Sequence, residues 1–258
     1  MSNYTLITGA SEGLGVEFAR IAASEGRNLI LTARQADKLD TLASELRTKN
    51  RDVVVIPADL SRHDEVERLW TEASSGREID ILINNAGLGY NGRFDSGQGW
   101  PREMTSMAVN MGAFTYLMKM AIPPMQSRGA GQILNVASVA GFLPGPNMAV
   151  YHASKAYTLS LSEAVDEELR GTGVSITALC PGATATNFFE DADMHGVRLL
   201  KFGGPMAADV VAQAGWDGMR ACKRIVIPGW LNKIFAFSPR LSPRALTTRI
   251  AALVMAKA

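Results

Sequence analysis

Cysteine is almost absent: Cys180 and Cys222 are too few for a disulfide framework or a four-ligand zinc site. Such a pair fits a reducing compartment, with both thiols packed inside. Histidine is equally sparse, and His63, His152 and His195 show no ligand spacing. No metal site is expected from them, and all three read as structural or surface residues. Excess charge is lacking too, since 26 basic and 25 acidic side chains leave a formal net charge of +1. A nucleic-acid binder needs a basic surface, so that class is disfavoured. No apolar run approaches the ~18 residues that span a bilayer. The start, Met1-Ser2-Asn3-Tyr4, lacks the basic and apolar regions of a signal peptide. A cytoplasmic location is the expectation. One further absence is local: from Gly218 onward there is no Asp or Glu, while eight Lys and Arg accumulate.

What is present is a folded composition, 47% hydrophobic against 20% charged, with no repeat and no linker dividing it. Residues 1–258 are therefore read as a single domain. Short apolar runs bounded by turn residues alternate with helical periodicity, the pattern of βαβ units. The runs are Tyr4–Thr8, Asn28–Thr32, Val53–Pro57, Ile79–Asn84, Gln132–Val136, Val174–Leu179 and Arg224–Ile227. Helical spacing covers about 13–26, 36–49, 62–75, 99–128 and 150–170, with Asp37 and Ser61 placed at helix starts. The fold class predicted is α/β, a doubly wound, Rossmann-type parallel sheet of seven strands with helices on both faces.

The first strand runs into Thr8-Gly9-Ala10-Ser11-Glu12-Gly13-Leu14-Gly15, and a helix follows at once. Glycines let the backbone turn and approach a ligand, while unpaired N–H groups at the helix start favour an anion such as a pyrophosphate. The position between strand and helix makes this octet more than a tight turn. About 20 residues further on, a dinucleotide-binding chain carries an acid for the ribose hydroxyl or an arginine for a 2′-phosphate. Here the residues are Thr32-Ala33-Arg34, so NADP is preferred over NAD. The plain alternative for Arg34 is a solvated loop residue. Glu12 opposes the preference if its carboxylate turns toward the phosphate. After the third strand, Asp59-Leu60 is placed near the adenine, unless Asp59 only caps its own turn.

Tyr151 and Lys155 stand four apart on a predicted helix, on one face. A neighbouring ammonium favours phenolate, so the pair suits proton transfer at neutral pH. Ser138 ends the fifth strand, at the sheet edge where ligands bind, in reach of a carbonyl oxygen that Tyr151 protonates. Taken together these motifs resemble the short-chain dehydrogenase/reductase family, in its branch of single-domain enzymes with a Tyr-x-x-x-Lys pair. The resemblance covers Tyr4 to about Ile227. It rests on Thr8-Gly9-x-x-x-Gly13-x-Gly15, on Asn84-Asn85-Ala86-Gly87, and on a tetrad of Asn110, Ser138, Tyr151 and Lys155. Pro181-Gly182 with Thr184 and Thr186 is similar to the loop at the nicotinamide end. The resemblance implies that Ser138 orients the carbonyl and Tyr151 exchanges its proton. It also implies that Lys155 binds ribose and lowers the tyrosine pKa, and that Asn110 holds a relay water. A non-catalytic dinucleotide sensor or scaffold is the competing class, against which retention of the whole tetrad argues.

The expected pocket residues are Leu88 to Phe94, Gly141 to Pro144, Asn147, Met148, Phe188 and Phe189. Their apolar character points to a hydrophobic ketone, aldehyde or secondary alcohol as the small-molecule substrate. Residues 183–222, apolar and punctuated by glycine, suit a substrate lid, with an ordinary connecting helix as the alternative. The tail, about 229–258, combines a basic charge with an apolar stripe of Leu246, Ile250, Leu253 and Val254. Packing against the domain or a second subunit is favoured over peripheral membrane contact. A homodimer or homotetramer is the expected assembly.

Overall fold

In the computed structural model, residues 3–47, 52–197 and 204–256 are described. Seven parallel strands form one sheet: β1 Asn3–Thr8, β2 Asn28–Thr32, β3 Val53–Val55, β4 Glu78–Asn84, β5 Gly131–Val136, β6 Val174–Leu179 and β7 Ile225–Val226. Their order is β3-β2-β1-β4-β5-β6-β7, so the direction of winding reverses between β1 and β4. The third and seventh strands are shorter than the sequence suggests. Past Val55 the pairing continues only as the bonds Ile56 N–H to Leu31 O and Ala58 N–H to Ala33 O, and Pro57 between them faces the open side of this edge strand, where no N–H is needed.

The strands are buried on both sides, as a parallel sheet between helical layers requires. Helices α1 Gly13–Ser24 and α2 Ala36–Arg47 cover one face, where Phe18, Ala19, Leu39 and Leu42 meet Ile7, Leu29 and Leu31. The opposite face is covered by α3 His63–Ser74, α5 Phe114–Arg128 and α6 Ala149–Glu168, with α4 Trp100–Met107 packed beside α6. Val66, Leu69, Phe114 and Leu117 pack there against Leu6, Ile30, Leu82 and Ile133. Asp37 lies in the first turn of α2, as anticipated. Ser61 does not cap α3. That helix starts after Arg62 without a side-chain cap, and the Ser61 hydroxyl donates to Asp59 instead.

Three other expectations change. The helix expected over 99–128 is α4 and α5 joined by a wide π turn at 108–113, an insertion of the kind that re-aims a side chain. Here it turns Asn110 inward. The expected end of α2 at 48–49 lies outside the described residues. The lid range 183–222 also divides. A short α7, Phe188–Asp191, leads it, and residues 198–203 lie outside the described residues. Ala208–Arg220 is then a full helix, α8, whose Val211, Ala212, Trp216 and Met219 are part of the core beside α1. That segment is sheet covering, the connecting-helix alternative, and only 183–197 lies beside the crevice. Two further helices, α9 Trp230–Phe237 and α10 Arg244–Met255, complete the chain. Cys180 is buried, as expected, but Cys222 is exposed.

Trp216 has 0% of its surface exposed and donates its indole N–H to Glu25 at 2.6 Å. Trp216→Ala is expected to lower unfolding stability by about 3–5 kcal/mol, read by chemical denaturation. A loss under 1 kcal/mol, roughly a surface effect, would return α8 to the lid.

Candidate active site

Where the winding reverses, the loops after β1 and β4 part and leave a crevice at the C-terminal edge of the sheet. The two loops are cross-tied. Thr8 Oγ1 accepts the N–H groups of Asn85 and Ala86, both at 3.0 Å, and the Asn85 amide donates to Thr8 O and Gly9 O at 2.9 and 3.1 Å. The first turn of α1 has no acidic side chain and its N-cap, Glu12, makes no side-chain cap, so its N–H groups face the crevice unsatisfied. Gly13 sits at φ +55°, and a Cβ on Gly15 would lie 2.0 Å from Gly9 O. Both positions need glycine for the loop to close on the helix.

The crevice encloses about 1130 Å³. It brings together Gly9, Ser11, Glu12, Gly13, Leu14, Arg34, Asp59, Leu60, Asn85, Ala86 and Gly87 from the β1–β4 side. Ser138, Tyr151, Lys155, Pro181, Gly182, Thr184 and Thr186 face them. Two expected site residues are not on its wall. Gly15 lies buried beneath the loop, and Asn110 lies behind it. Asn110 Oδ1 accepts the Leu88 N–H at 2.9 Å, while its amide hydrogens go to Leu88 O at 2.8 Å and Ser154 Oγ at 3.0 Å. Ser154 in turn donates to Tyr151 O at 2.8 Å, so the π turn braces the helix that carries Tyr151. Sequence reading missed Ser154, since a serine on a helix carries no signal until its neighbour is known.

Ser138 precedes a single 3₁₀ turn. Its hydroxyl accepts Ala140 N–H at 3.1 Å and donates to Pro181 O at 3.4 Å. Tyr151 lies in the first turn of α6, its ring 5.2 Å from that of Phe188. Burial pushes its phenol up to about 12, and a hydrogen bond with Ser138 pulls only weakly the other way. The Lys155 ammonium is buried below Gly87 and donates to Val136 O at 2.8 Å, and burial brings it down to about 8. Its nitrogen is 5.8 Å from the Tyr151 ring centre. The expected lowering of the tyrosine pKa by Lys155 does not appear: burial sets the Tyr151 shift, Ser138 alone opposes it, and the lysine ammonium is engaged by Val136 O.

At the nucleotide end, Glu12 is paired with Lys38 and accepts from Asn187 at 2.9 Å; the Lys38 bond holds its carboxyl below the usual range. Arg34 is exposed and makes no hydrogen bond among the described residues. Asp59 Oδ1 accepts the N–H and O–H of Ser61 at 3.0 and 2.8 Å, so it does cap its own turn. Burial pushes the Asp59 carboxyl up, but those bonds and the Arg34 charge outweigh it and leave it below the usual range.

At the substrate end, Leu88, Gly89, Leu143, Met148, Phe188 and Phe189 line the crevice as expected. Tyr90 to Phe94 and Asn147 do not, and Phe94 points outward with 71% of its surface exposed. Gly141, Phe142 and Pro144 line a second cavity of about 670 Å³ behind His152. His152 is buried, with its Nδ1 2.9 Å from Leu143 O, and burial lowers its pKa. His63 and His195 are exposed. No group of three His, Cys, Asp or Glu suited to a metal occurs among the described residues.

Two features escaped the sequence. Arg102 of α4 bonds Asp193 and Asp191 O and lies 4.7 Å from the Tyr90 ring centre, clasping the lid segment to α4. The tail is also part of the site: Trp230, Leu231, Phe235, Ile250, Val254 and Met255 line the crevice. Met255 packs with Met148, Met194 and Phe188.

A winding reversal, a bare helix N-terminus and a Ser, Tyr and Lys lining one crevice form an arrangement suited to a nucleotide-dependent oxidoreductase of α/β type. A family model described as short chain dehydrogenase matches residues 3–195, and the chain belongs to that family of oxidoreductases acting on CH–OH and C=O groups. The ketoacyl reductase HetN of Nostoc sp. is 32% identical over 212 residues, which are 81% of this chain and 74% of that protein. A short-chain dehydrogenase from Sphingobium yanoikuyae, solved in complex with NADPH, is 31% identical with a TM-score of 0.84 over 95% of this chain and 94% of its own. The bulky-bulky ketone specific alcohol dehydrogenase from Comamonas testosteroni gives 31% and 0.80, over 92% and 91%.

The burial of Lys155 bears on the stability of the fold. Its folded pKa of about 8 lies below the ordinary 10.5, so between these values the unfolded chain binds more protons and stability from this group rises with pH. Lys155→Met is expected to stabilise the ligand-free protein by up to about 3 kcal/mol near neutral pH. The gain should shrink as pH climbs from about 8 toward 10. Thermal melts across that range check it, and a gain independent of pH would refute it.

Proposed function

We propose that the chain is an NADP-dependent carbonyl reductase or secondary-alcohol dehydrogenase for a hydrophobic ketone or aldehyde. The observation that carries this reading is the convergence of Ser138, Tyr151 and Lys155 on one crevice that also holds the open N-terminus of α1. When bound, the nicotinamide supplies or accepts the hydride. Ser138 holds the substrate oxygen. Tyr151, protonated at neutral pH, gives its proton to that oxygen in reduction and takes it back in oxidation. Lys155 offers its ammonium to ribose hydroxyls through the gap that Gly87 leaves. Asn110 can hold a relay water only through a lone pair on Oδ1, since both its amide hydrogens are engaged.

For the cofactor, Arg34 stands at the rim without a hydrogen-bonding partner among the described residues, available to a 2′-phosphate. Lys38 and Asn187 hold the Glu12 carboxylate, so its charge is answered within the protein, which supports room for such a phosphate. The NADPH-bound relative supports the same choice. For the substrate, the wall beyond Tyr151 is built from Met148, Phe188, Phe189, Met194 and Met255, which suits an apolar molecule with one carbonyl. The bulky-ketone dehydrogenase is a relative of matching character.

Tyr151→Phe is expected to reduce turnover by about 10²–10⁴-fold while NADPH affinity, read by fluorescence titration, stays nearly constant. Unchanged turnover would overturn the assignment. Arg34→Asp should weaken NADPH far more than NADH; equal weakening would show that Arg34 does not meet the phosphate.

A further inference from the structure

The two C-terminal helices do not bury the stripe that their sequence displays. In α10 the inward residues are Thr247, Ala251 and Met255, whereas Leu246, Ile250 and Leu253 are 50%, 51% and 62% exposed. In α9 only Ala236 is buried, and Trp230, Ile234 and Phe237 are exposed by more than half. Leu241, between the helices, is 77% exposed. An apolar surface of this extent on one small element marks a contact site.

The charges on the same element narrow the occupant. Lys233, Arg240, Arg244 and Arg249 are exposed and form no ion pair among the described residues. Several surface cations elsewhere are matched, as in Arg20 with Glu17 and Glu45, and Arg68 with Glu65 and Glu72, so four unmatched ones on one short apolar segment stand out. A second copy of the chain meeting this face about a two-fold axis would set these four cations against the same four, with no acidic residue in the segment to separate them. A lipid surface bearing anionic headgroups answers both features, since apolar side chains enter the interface while cations meet phosphates. Trp230 suits that boundary, having an apolar ring and one polar N–H.

We propose that α9 and α10 dock the protein on an anionic membrane surface, so that the mouth of the crevice opens toward the lipid. Trp230, Leu231, Phe235 and Ile250 border the crevice and are exposed at once, which places the docking face around the substrate entrance. The docking does not depend on the catalytic reading. Entry of a lipophilic substrate from the bilayer does rest on it. No helix among the described residues is long and apolar enough to cross a membrane, so the contact is one of surface seating.

The test uses the full chain and sedimentation with vesicles of phosphatidylcholine alone or mixed with phosphatidylglycerol. Two variants avoid the crevice wall: Lys233→Glu with Arg249→Glu, and Ile234→Ser with Leu253→Ser. The parent chain should pellet with the mixed vesicles and not with the neutral ones. Charge reversal should weaken binding by at least about ten-fold, the serine pair should also weaken it, and added salt should release the protein. Turnover of a water-soluble ketone without vesicles should be the same in all three proteins. That measurement separates failure of docking from failure of the enzymatic reading. Absence of pelleting with mixed vesicles, or equal pelleting of the charge-reversed chain, overturns the proposal. So does light scattering that shows a dimer dissociated by the serine pair, which would make a second copy the occupant.

Discussion

The crevice depends on the cross-tie between Thr8 and the Asn85–Ala86 backbone. Parallel strands wound in opposite directions from β1 leave their following loops without a common neighbour. Thr8 Oγ1, taking two N–H groups, fixes the separation of those loops, and the Asn85 amide closes the gap from the other side. On one side of this tie lies the bare N-terminus of α1. On the other lies Gly87, open enough for the Lys155 ammonium to approach beneath it. The two ends of the crevice are therefore held in one frame by a few partly buried hydrogen bonds.

Within that frame the two titrating groups are shifted by the same cause in opposite directions. Removal from water disfavours charge, so the phenol of Tyr151 is kept protonated and the ammonium of Lys155 is made easier to deprotonate. Val136 O compensates the lysine in part. A group held at a cost to the fold, with its charge near the reacting position, is typical of a site that trades stability for chemistry. The π turn serves the same end: it moves Asn110 out of helical register so that one amide braces both the Leu88 loop and, through Ser154, the first turns of α6.

The substrate end is assembled from parts distant in the chain. Met148 comes from the start of α6, Phe188 and Met194 from the lid segment, and Met255 from the last helix. Arg102 holds the lid to α4 with Asp193, and Asn187 ties its start to Glu12 of the glycine loop. The segment is thereby tied to both ends of the crevice. The helices of the tail contribute to its wall with one face and present an apolar, basic face to the outside.

Several features were legible in the residues because each is local. Strand and helix positions follow from periodicity, the anion cradle from glycines placed between β1 and α1, and the Tyr151–Lys155 pair from a spacing that puts both on one helical face. Other features needed the packed chain. Leu246, Ile250 and Leu253 look like a core stripe, yet Thr247, Ala251 and Met255 face inward, since helical spacing defines a face and not what that face meets. The lid range misled because α8 is as apolar as a lid, and only the sheet beneath it shows where those side chains go. The upward shift of the Tyr151 phenol also needed the packed chain, because adjacency to a lysine is visible in sequence while the loss of water around both groups is not. The sequence by itself determined the fold class and the family and singled out the candidate side chains of the site, all from patterns of neighbours along the chain. Tertiary structure alone decided burial, charge pairing and the walls of the pocket, because these are set by residues that meet only after folding.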